Sequence, residues 1–267
     1  MKTIKVKCPA KINLNLQVLN KREDGFHNIE SVMQTISLYD YLTISMIESE
    51  RTEIRLSGTS GEIPYDKTNL VHKAGMLFLQ ENSITNYVVN VHIEKNIPVS
   101  AGLAGGSTDG AGMLYGLNML FNGLMTEEEL LELCSRLGSD LNFCLKGGCM
   151  MTMGRGEILS KRMYRHYPVN LIKPLDLGIS AKEAYTKFSK KIEKQDSLET
   201  RKDYANDLEW AIIEDYSQLK QIKSRYPNSM MTGSGSTYFS LDKPFEQEDG
   251  FWVKNGLETI DKGVELY

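Results

Sequence analysis

Apolar residues occupy the even-numbered positions from 4 to 18 of the chain, and the odd-numbered positions between them are mostly polar. This alternation predicts β-structure. Pro9 interrupts the pattern, so we expect two consecutive strand segments that join at Ala10 and Lys11. Lys11, Asn13 and Asn15 fall on the polar face, where they either meet solvent or line a polar cleft.

Further along the chain, apolar residues recur at helical spacing, and several of these segments carry helix start signals. Thr68 or Asn69 is expected to cap one helix, and Thr126 with Glu129 forms a capping box for another. We predict helices at 68–79, 113–121, 126–137, 180–194 and 208–225, the last capped by residues 206–207. We predict strands at 53–56, 87–94 and 263–267 and within 147–157 and 168–177, and strands or short helices at 29–38 and 41–47.

A glycine-rich loop lies between the predicted strand 87–94 and the helix that follows it. Five glycines stand at positions 102, 105, 106, 110 and 112. Unpaired backbone N–H groups at a helix N-terminus converge on one spot and suit an anion such as phosphate. The alternative is a turn that merely packs closely. No Gly-Lys-Ser/Thr follows, and the spacing does not fit G-x-G-x-x-G, so neither a Walker A loop nor a Rossmann site is indicated.

Composition narrows the class of protein. The 267 residues carry a formal net charge of −4, which argues against a nucleic-acid-binding surface. The four cysteines form no CxxC pair, so we expect free buried thiols in a reducing compartment. The start of the chain lacks the apolar core of a signal peptide, and no apolar run approaches the ~20 residues that span a bilayer. We therefore expect a cytoplasmic protein without nucleic-acid or membrane partners.

Three segments, in this order, resemble the three motifs of the GHMP kinases, the superfamily of galactokinase, homoserine kinase, mevalonate kinase and phosphomevalonate kinase. They are 9–14 (PAKINL), 98–108 (PVSAGLAGGST) and 231–237 (MTGSGST). Within the superfamily, AKINL followed by DGFHN at 24–28 is similar to the 4-diphosphocytidyl-2-C-methyl-D-erythritol kinase family. LGSDLNF at 137–143, GRGE at 154–157 and NDLE at 206–209 resemble further motifs of that family.

The resemblance implies an α+β fold with two domains and the active site between them. The N-terminal domain, 1–158, would be like ribosomal protein S5, and the C-terminal domain, 159–267, would be ferredoxin-like; composition also changes near Lys161. It implies transfer of the ATP γ-phosphate to the 2-hydroxyl of 4-diphosphocytidyl-2-C-methyl-D-erythritol, with ATP and Mg²⁺ required. The oligomeric state and the magnesium ligands are left open.

The resemblance also assigns site residues. Lys11 is the catalytic cation and Asp140 the catalytic base, which also contacts substrate. An aspartate with a pKa of about 3.9 beside a lysine orients a hydroxyl better than it deprotonates it early. On the residues alone, Asp140 is equally a helix N-cap. ATP is assigned to Asn69, Lys95, Pro98, Val99, Ser100, Ala101, Gly102, Leu103, Ala104, Gly105, Gly106, Ser107 and Thr108, with Lys95 near the adenine.

For the substrate end, the resemblance assigns His27 to the cytosine ring and Phe26 to stacking on it, where the family usually has tyrosine. Asn13 matches a substrate-contacting amide, and Tyr185 matches a further aromatic residue. Gly233, Ser234 and Gly235 belong to the third glycine motif.

Some positions depart from the family pattern or vary within it. Asp109 either assists magnesium or points away and favours the helix N-terminus. Ala104 replaces a glycine, which we expect to be tolerated only at negative φ. Asn142 and Ser236 replace prolines, and the C-terminal part is short. The rival hypotheses are therefore a kinase of the superfamily with another alcohol substrate, and a non-catalytic sensor on the same fold.

Overall fold

The chain forms two β-sheets with helices packed against them, and the computed structural model describes residues 2–194 and 198–267. The strands are β1 (Lys2–Lys21), β2 (His27–Glu48), β3 (Glu53–Gly58), β4 (Tyr87–Glu94), β5 (Cys149–Gly154), β6 (Ile158–Lys161), β7 (Pro168–Pro174), β8 (Met230–Met231), β9 (Tyr238–Ser240), β10 (Phe251–Glu258) and β11 (Glu265–Leu266). The helices are α1 (Leu70–Glu81), α2 (Gly105–Leu120), α3 (Glu127–Leu137), α4 (Leu141–Lys146), α5 (Ala181–Glu193), α6 (Leu198–Arg201), α7 (Asp207–Ile212) and α8 (Ser217–Arg225), with a 3-10 turn at Ile213–Asp215.

The large sheet has the strand order β11-β1-β2-β4-β3, with β5 paired to β2 and β6 to β5. The predicted segments 29–38 and 41–47 are one strand, β2, which pairs with β1 along its length. Its first half also pairs with β5 and its second half with β4. Only β3 and β4 run parallel within this sheet. The predicted closing strand is confirmed, since β11 pairs with β1.

Strand β1 is continuous through Pro9, so the expected division into two segments is wrong. The register shifts between Pro9 and Ala10, where an irregularity accommodates the residue that cannot donate to the ladder. It shifts again between Asn13 and Asn15 and between Val18 and Lys21. Lys11 and Asn13 are only 3% and 1% exposed. Their face of the strand therefore lines a polar cleft rather than meeting solvent.

The even-numbered apolar residues of β1 run through three hydrophobic clusters in succession. Val6 belongs to the cluster beneath α1–α4. Ile12 belongs to a cluster that joins the two sheets, together with Leu171 and Phe239 of the small sheet. Val18 belongs to the cluster around α5, α7 and α8. One strand thus contributes to the core of the whole described chain, which fixes the two sheets relative to one another.

The small sheet has the order β10-β7-β9-β8, and all of its pairs are antiparallel. The predicted long helix 208–225 is wrong, because it is divided into α7, the 3-10 turn and α8, with Tyr216 in an extended conformation. All six residues of 208–213 are buried, whereas α8 buries only Leu219 and Ile222. The first half is buried on all sides, whereas the second half is buried along one face only. One straight helix does not fit both environments, so the chain turns between the two halves.

The predicted caps are confirmed where the structure describes them. Asn69, rather than Thr68, caps α1, and Asn206 caps α7. Thr126 and Glu129 form the expected capping box of α3. In residues 2–194 and 198–267, no helix is long and apolar enough to cross a membrane. The boundary between domains 1–158 and 159–267 stays a prediction.

Candidate active site

A cavity of about 1210 Å³ lies where the large sheet, the glycine loop and α5 meet. Its wall includes the side chains of Lys11 and Asn13 from β1, the loop from Pro98 to Ser107, Asp140 at the start of α4, and Tyr185 of α5. The three motifs of the sequence therefore meet in one place, although more than 200 residues separate the first from the third.

Lys11 is a buried cation that lines this cavity. Its Nζ donates to Asn13 Oδ1 at 2.6 Å and to the carbonyl oxygen of Gly102 at 2.8 Å. The same nitrogen lies 4.0 Å from Asp140 Oδ2. Burial lowers the pKa of Lys11, and the nearby Asp140 opposes that change. The ammonium group is therefore held in a fixed position between the glycine loop and a carboxylate.

Asp140 occupies the N-cap position of α4, but its side chain makes no capping hydrogen bond. The side chain is 32% exposed and lines the cavity. The alternative in which Asp140 serves as a helix cap is therefore wrong for the carboxylate. That group is free to approach a ligand hydroxyl next to Lys11.

The glycine loop turns sharply into α2. Ser100, Gly102 and Ala104 all have positive φ, with Ala104 at 60°. The expectation that Ala104 requires negative φ is wrong, because the residue is in the left-handed region directly before the helix. No side chain caps α2, so the amides of its first turn remain available to an anion.

Close packing explains Gly102, since a Cβ there would lie 2.2 Å from the carbonyl oxygen of Thr232. Two predicted members of this loop do not line the cavity: Leu103 is buried in the core, and the side chain of Thr108 is fully buried. The loop therefore offers backbone, rather than the side chains of Leu103 and Thr108, to the cavity.

The third glycine motif closes the cavity over Lys11. A Cβ on Gly233 would lie 3.0 Å from Lys11 Nζ and 2.9 Å from the carbonyl oxygen of Gly102. Ser234 also lines the cavity, whereas Gly235 does not. Ser234 Oγ donates to the carbonyl oxygen of Ile179 at 3.3 Å.

Lys95 forms a buried ion-pair cluster with two carboxylates beneath the glycine loop. Its Nζ donates to Asp40 and, at 2.9 Å, to Asp109 Oδ2. Asp40 Oδ1 also accepts from the backbone N–H groups of Asn96 and Ile97, at 2.6 and 2.8 Å. Sequence reasoning missed Asp40, because its position 55 residues before Lys95 gives no signal of the pairing.

The protonation of this cluster depends on burial. Burial, followed by the charge of Asp40, raises the pKa of Asp109 to about 8, although Lys95 opposes the change. Burial works to lower the pKa of Lys95, but the two carboxylates together raise it. Asp109 thus accepts a hydrogen bond from Lys95, and the two roles considered for it stay predictions.

Aromatic side chains form the other end of the cavity. The ring of His27 stacks on Tyr185 with a centroid distance of 5.4 Å and an interplanar angle of 16°. His27 Nε2 is hydrogen-bonded to Ser189 Oγ at 3.1 Å. Burial, then the charge of Lys21, lowers the pKa of His27, so the ring is neutral at pH 7.

Phe26 is 53% exposed at the same end, and the guanidinium of Arg155 lies 5.2 Å from its ring centroid. Both line the cavity. Sequence reasoning singled out the segment that contains Arg155 without giving it a role, and it missed Ser189. The helical spacing of α5 does not show whether Ser189 faces the cavity or the solvent.

The remaining predicted residues also reach the cavity. Asn69 lines it while its Oδ1 accepts from Val71 N and its Nδ2 donates to the carbonyl oxygen of Pro64. Asn13 Nδ2 donates to Ser31 Oγ at 2.8 Å. Among the described residues, no group of three His, Cys, Asp or Glu side chains could hold a metal ion.

Residues 69–150 match the family model described as the GHMP kinases N terminal domain. An uncapped helix N-terminus, a fixed ammonium and a carboxylate in one cavity agree with that match. A solved mevalonate kinase shares the fold, with a TM-score of 0.67 at 12% identity, and is covered over its whole length. The expected α+β GHMP kinase fold is therefore confirmed.

Relatives that match over the full length specify the family. The 4-diphosphocytidyl-2-C-methyl-D-erythritol kinase of Syntrophomonas wolfei is 37% identical over 99% of this chain and 98% of its own length. That of Clostridioides difficile is 38% identical over 100% of this chain and 98% of its own. A crystal structure of 4-(cytidine 5'-diphospho)-2C-methyl-D-erythritol kinase has a TM-score of 0.73 at 26% identity and covers 96% of this chain, with 99% of its own length matched. The chain belongs to the 4-diphosphocytidyl-2-C-methyl-D-erythritol kinase family. GHMP kinases use ATP as co-substrate.

Proposed function

We propose that this chain transfers the γ-phosphate of ATP to the 2-hydroxyl of 4-diphosphocytidyl-2-C-methyl-D-erythritol. The observation that carries the proposal is the position of Asp140 and Lys11, 4.0 Å apart, in the same cavity as the glycine loop and the His27–Tyr185 stack. The cavity is large enough for a nucleotide at the loop and a nucleoside diphosphate derivative towards the aromatic end.

The chemistry follows from the side chains. The first-turn amides of α2 hold phosphate oxygens, and Lys11 places a positive charge beside the group in transfer. Asp140 accepts a hydrogen bond from the attacking hydroxyl and takes its proton late in the transfer, because a carboxylate is a weak base. His27 remains neutral, and Nδ1, the ring nitrogen that is not bonded to Ser189, can hydrogen-bond to the pyrimidine. Phe26 and Tyr185 provide stacking faces.

Magnesium enters this proposal as part of the Mg–ATP substrate. Mg²⁺ keeps several waters and binds largely through nucleotide phosphates, so it does not require a protein cage. The four cysteines are buried and unpaired, which supports a reducing compartment such as the cytoplasm.

The test is to mix purified protein and Mg–ATP separately with the cytidyl substrate, homoserine and mevalonate, and to follow ADP release. We expect ADP only with the cytidyl compound, because the other two alcohols offer no base to the aromatic end. ADP release with mevalonate but not with the cytidyl compound would overturn the proposal. Thermal stabilisation by ATP without turnover of any of the three would instead indicate a sensor.

A further inference from the structure

The segment Asn206–Glu209 is buried behind the third glycine motif and makes no contact with the reacting groups. Asn206, Asp207 and Glu209 are 1%, 4% and 1% exposed. Three polar side chains in such a short buried segment need hydrogen-bonding partners, because an unpaired buried polar group costs about 1–3 kcal/mol. Some of those partners lie on β1 and on the third glycine motif, and the others are Arg201 of α6 and Lys223 of α8.

Asn206 binds the third glycine motif directly. Its Nδ2 donates to the carbonyl oxygens of Met231 and Gly233, at 2.8 and 2.9 Å. Its Oδ1 accepts from Leu208 N at 2.9 Å, so both hydrogens and the oxygen of the amide are in use. Glu209 Oε2 accepts from Met231 N at 3.1 Å, which adds a second contact to the same motif.

The same segment is fixed to β1, the strand that carries Lys11. Val18 N donates to Asp207 Oδ2 at 2.6 Å, and Leu16 N donates to the carbonyl oxygen of Ala205 at 2.8 Å. The third glycine motif also contacts β1, since Asn13 N donates to Thr232 Oγ1 at 3.0 Å. The motif is therefore held against β1 from two sides.

Gly233 is the residue of the third glycine motif that lies against Lys11. Its Cα faces Lys11 Nζ and the carbonyl of Gly102, with no room for a Cβ. Asn206 holds the Gly233 carbonyl, so loss of that hydrogen bond would free the carbonyl to shift, and we expect such a shift to let water reach Lys11. The ammonium group would then lose its fixed position beside Asp140.

We propose that Asn206 is a positioning residue that holds Gly233 over Lys11 and so fixes the ammonium group for phosphoryl transfer. It acts through Gly233 and does not itself line the cavity. The kinetic consequence rests on the function proposed above, whereas the effect on Lys11 does not.

The kinetic test compares Asn206→Asp with Asn118→Asp. The control residue Asn118 is also a buried amide that donates to a backbone carbonyl and accepts from a backbone N–H, both of Met125, at the far end of α2. We expect Asn206→Asp to lower kcat by up to about 100-fold, because a misplaced catalytic group has an effect of that order. The KM for the cytidyl substrate should change little, and Asn118→Asp should lower Tm without changing kcat. An unchanged kcat in Asn206→Asp, or an equal loss in both variants, would contradict the proposal.

A second test does not need turnover. The protein is labelled with ¹³C-lysine, the Lys11 Cε signal is assigned through Lys11→Arg, and its titration is followed by NMR. In Asn206→Ala we expect the lowered pKa of Lys11 to move back towards its ordinary value of about 10.4, because water reaches the ammonium group. Asn118→Ala should leave the titration unchanged.

The two tests separate the possible failures. An unaltered Lys11 titration in Asn206→Ala overturns the positioning role, whatever the substrate is. Absence of turnover in the unsubstituted protein, together with a shifted Lys11 titration in the variant, overturns the proposed reaction and supports the positioning role. If neither Asn206 variant folds, Asn206→Ser removes the amide hydrogens that hold the Gly233 carbonyl and keeps a side chain that can cap α7, and an unaltered Lys11 titration in that variant would contradict the proposal.

Discussion

Two groups of opposite charge dominate the cavity at the scale of single residues, and their surroundings differ. The side chain of Lys11 is 4% exposed and is bound by Asn13 and Gly102, whereas the side chain of Asp140 is 32% exposed. The cation is therefore fixed, and the carboxylate can still adjust to a ligand. This difference suits a reaction in which charge stabilisation needs a rigid donor, while proton acceptance needs access to the incoming hydroxyl.

Replacing Asp140 with Asn tests the carboxylate without changing its size. We expect kcat to fall by about 100- to 10,000-fold, which is the usual contribution of a general base. Binding of ATP should remain, because the glycine loop does not depend on this side chain. ADP release and calorimetric titration with ATP measure the two effects. Asp249→Asn, at an exposed position outside the cavity, serves as the control, and near-normal turnover of Asp140→Asn would rule out its role as a base.

Asp109 leads to a prediction about stability and pH. Its pKa is about 8 in the folded chain, against about 3.9 in the unfolded chain, so folding takes up a proton between these values. The free energy of unfolding should therefore fall as pH rises from about 4 to about 8, by up to about 1.4 kcal/mol per pH unit from this group. In Asp109→Asn this contribution should be missing. Urea unfolding from pH 5 to pH 9 compares the two proteins, and parallel pH profiles would contradict the raised pKa.

Residue types and their order predicted candidate site residues that the structure places in one cavity, but not the contacts that hold them. Lys11, Asp140 and His27 follow from motifs in the sequence. Asp40 does not, because its role depends on the pairing of β2 with β4, which brings it beside Lys95. The predicted contact between Lys95 and adenine stays a prediction. In this structure the ammonium group of Lys95 donates to Asp40 and Asp109.

At the scale of elements, the turn from the glycine loop into α2 decides the shape of the phosphate site. Strand β4, the loop and α2 follow one another as the sequence predicts. The conformation of Ala104 could not be predicted, because the left-handed region costs an L-residue about 1–2 kcal/mol and alanine gives no signal for it. The break between α7 and α8 also could not be predicted, because it depends on which helix faces the surrounding core buries.

Ala104→Gly should raise the free energy of unfolding by up to about 1 kcal/mol. Glycine adopts φ near 60° without steric cost, although it loses more backbone entropy on folding. Ala101→Gly is the matched control, because that alanine is buried in the same loop and is not among the residues with positive φ. Chemical denaturation measures both variants, and equal destabilisation of the two would contradict strain at Ala104.

At the scale of the whole molecule, the cavity depends on contacts between the large sheet and the helices of the small sheet. His27 begins β2 of the large sheet, whereas Tyr185 and Ser189 belong to α5, which packs in the cluster of the small sheet. The sequence predicted His27 and Tyr185 separately through family resemblance. Their stacking could not be predicted, because it depends on how the shared strand β1 sets the two sheets relative to one another.

A ligand that occupies both walls should stabilise the whole protein. CDP at about 100 times its Kd should add about 2.7 kcal/mol to the free energy of unfolding, or roughly 5–10 °C in Tm for a chain of this size. Tyr185→Leu should reduce the shift with CDP, because it removes the stacking face, and should leave the shift with ATP unchanged, because the glycine loop lies elsewhere in the cavity. Thermal denaturation with each ligand measures this. An equal CDP shift in both proteins would show that the aromatic end does not bind the base.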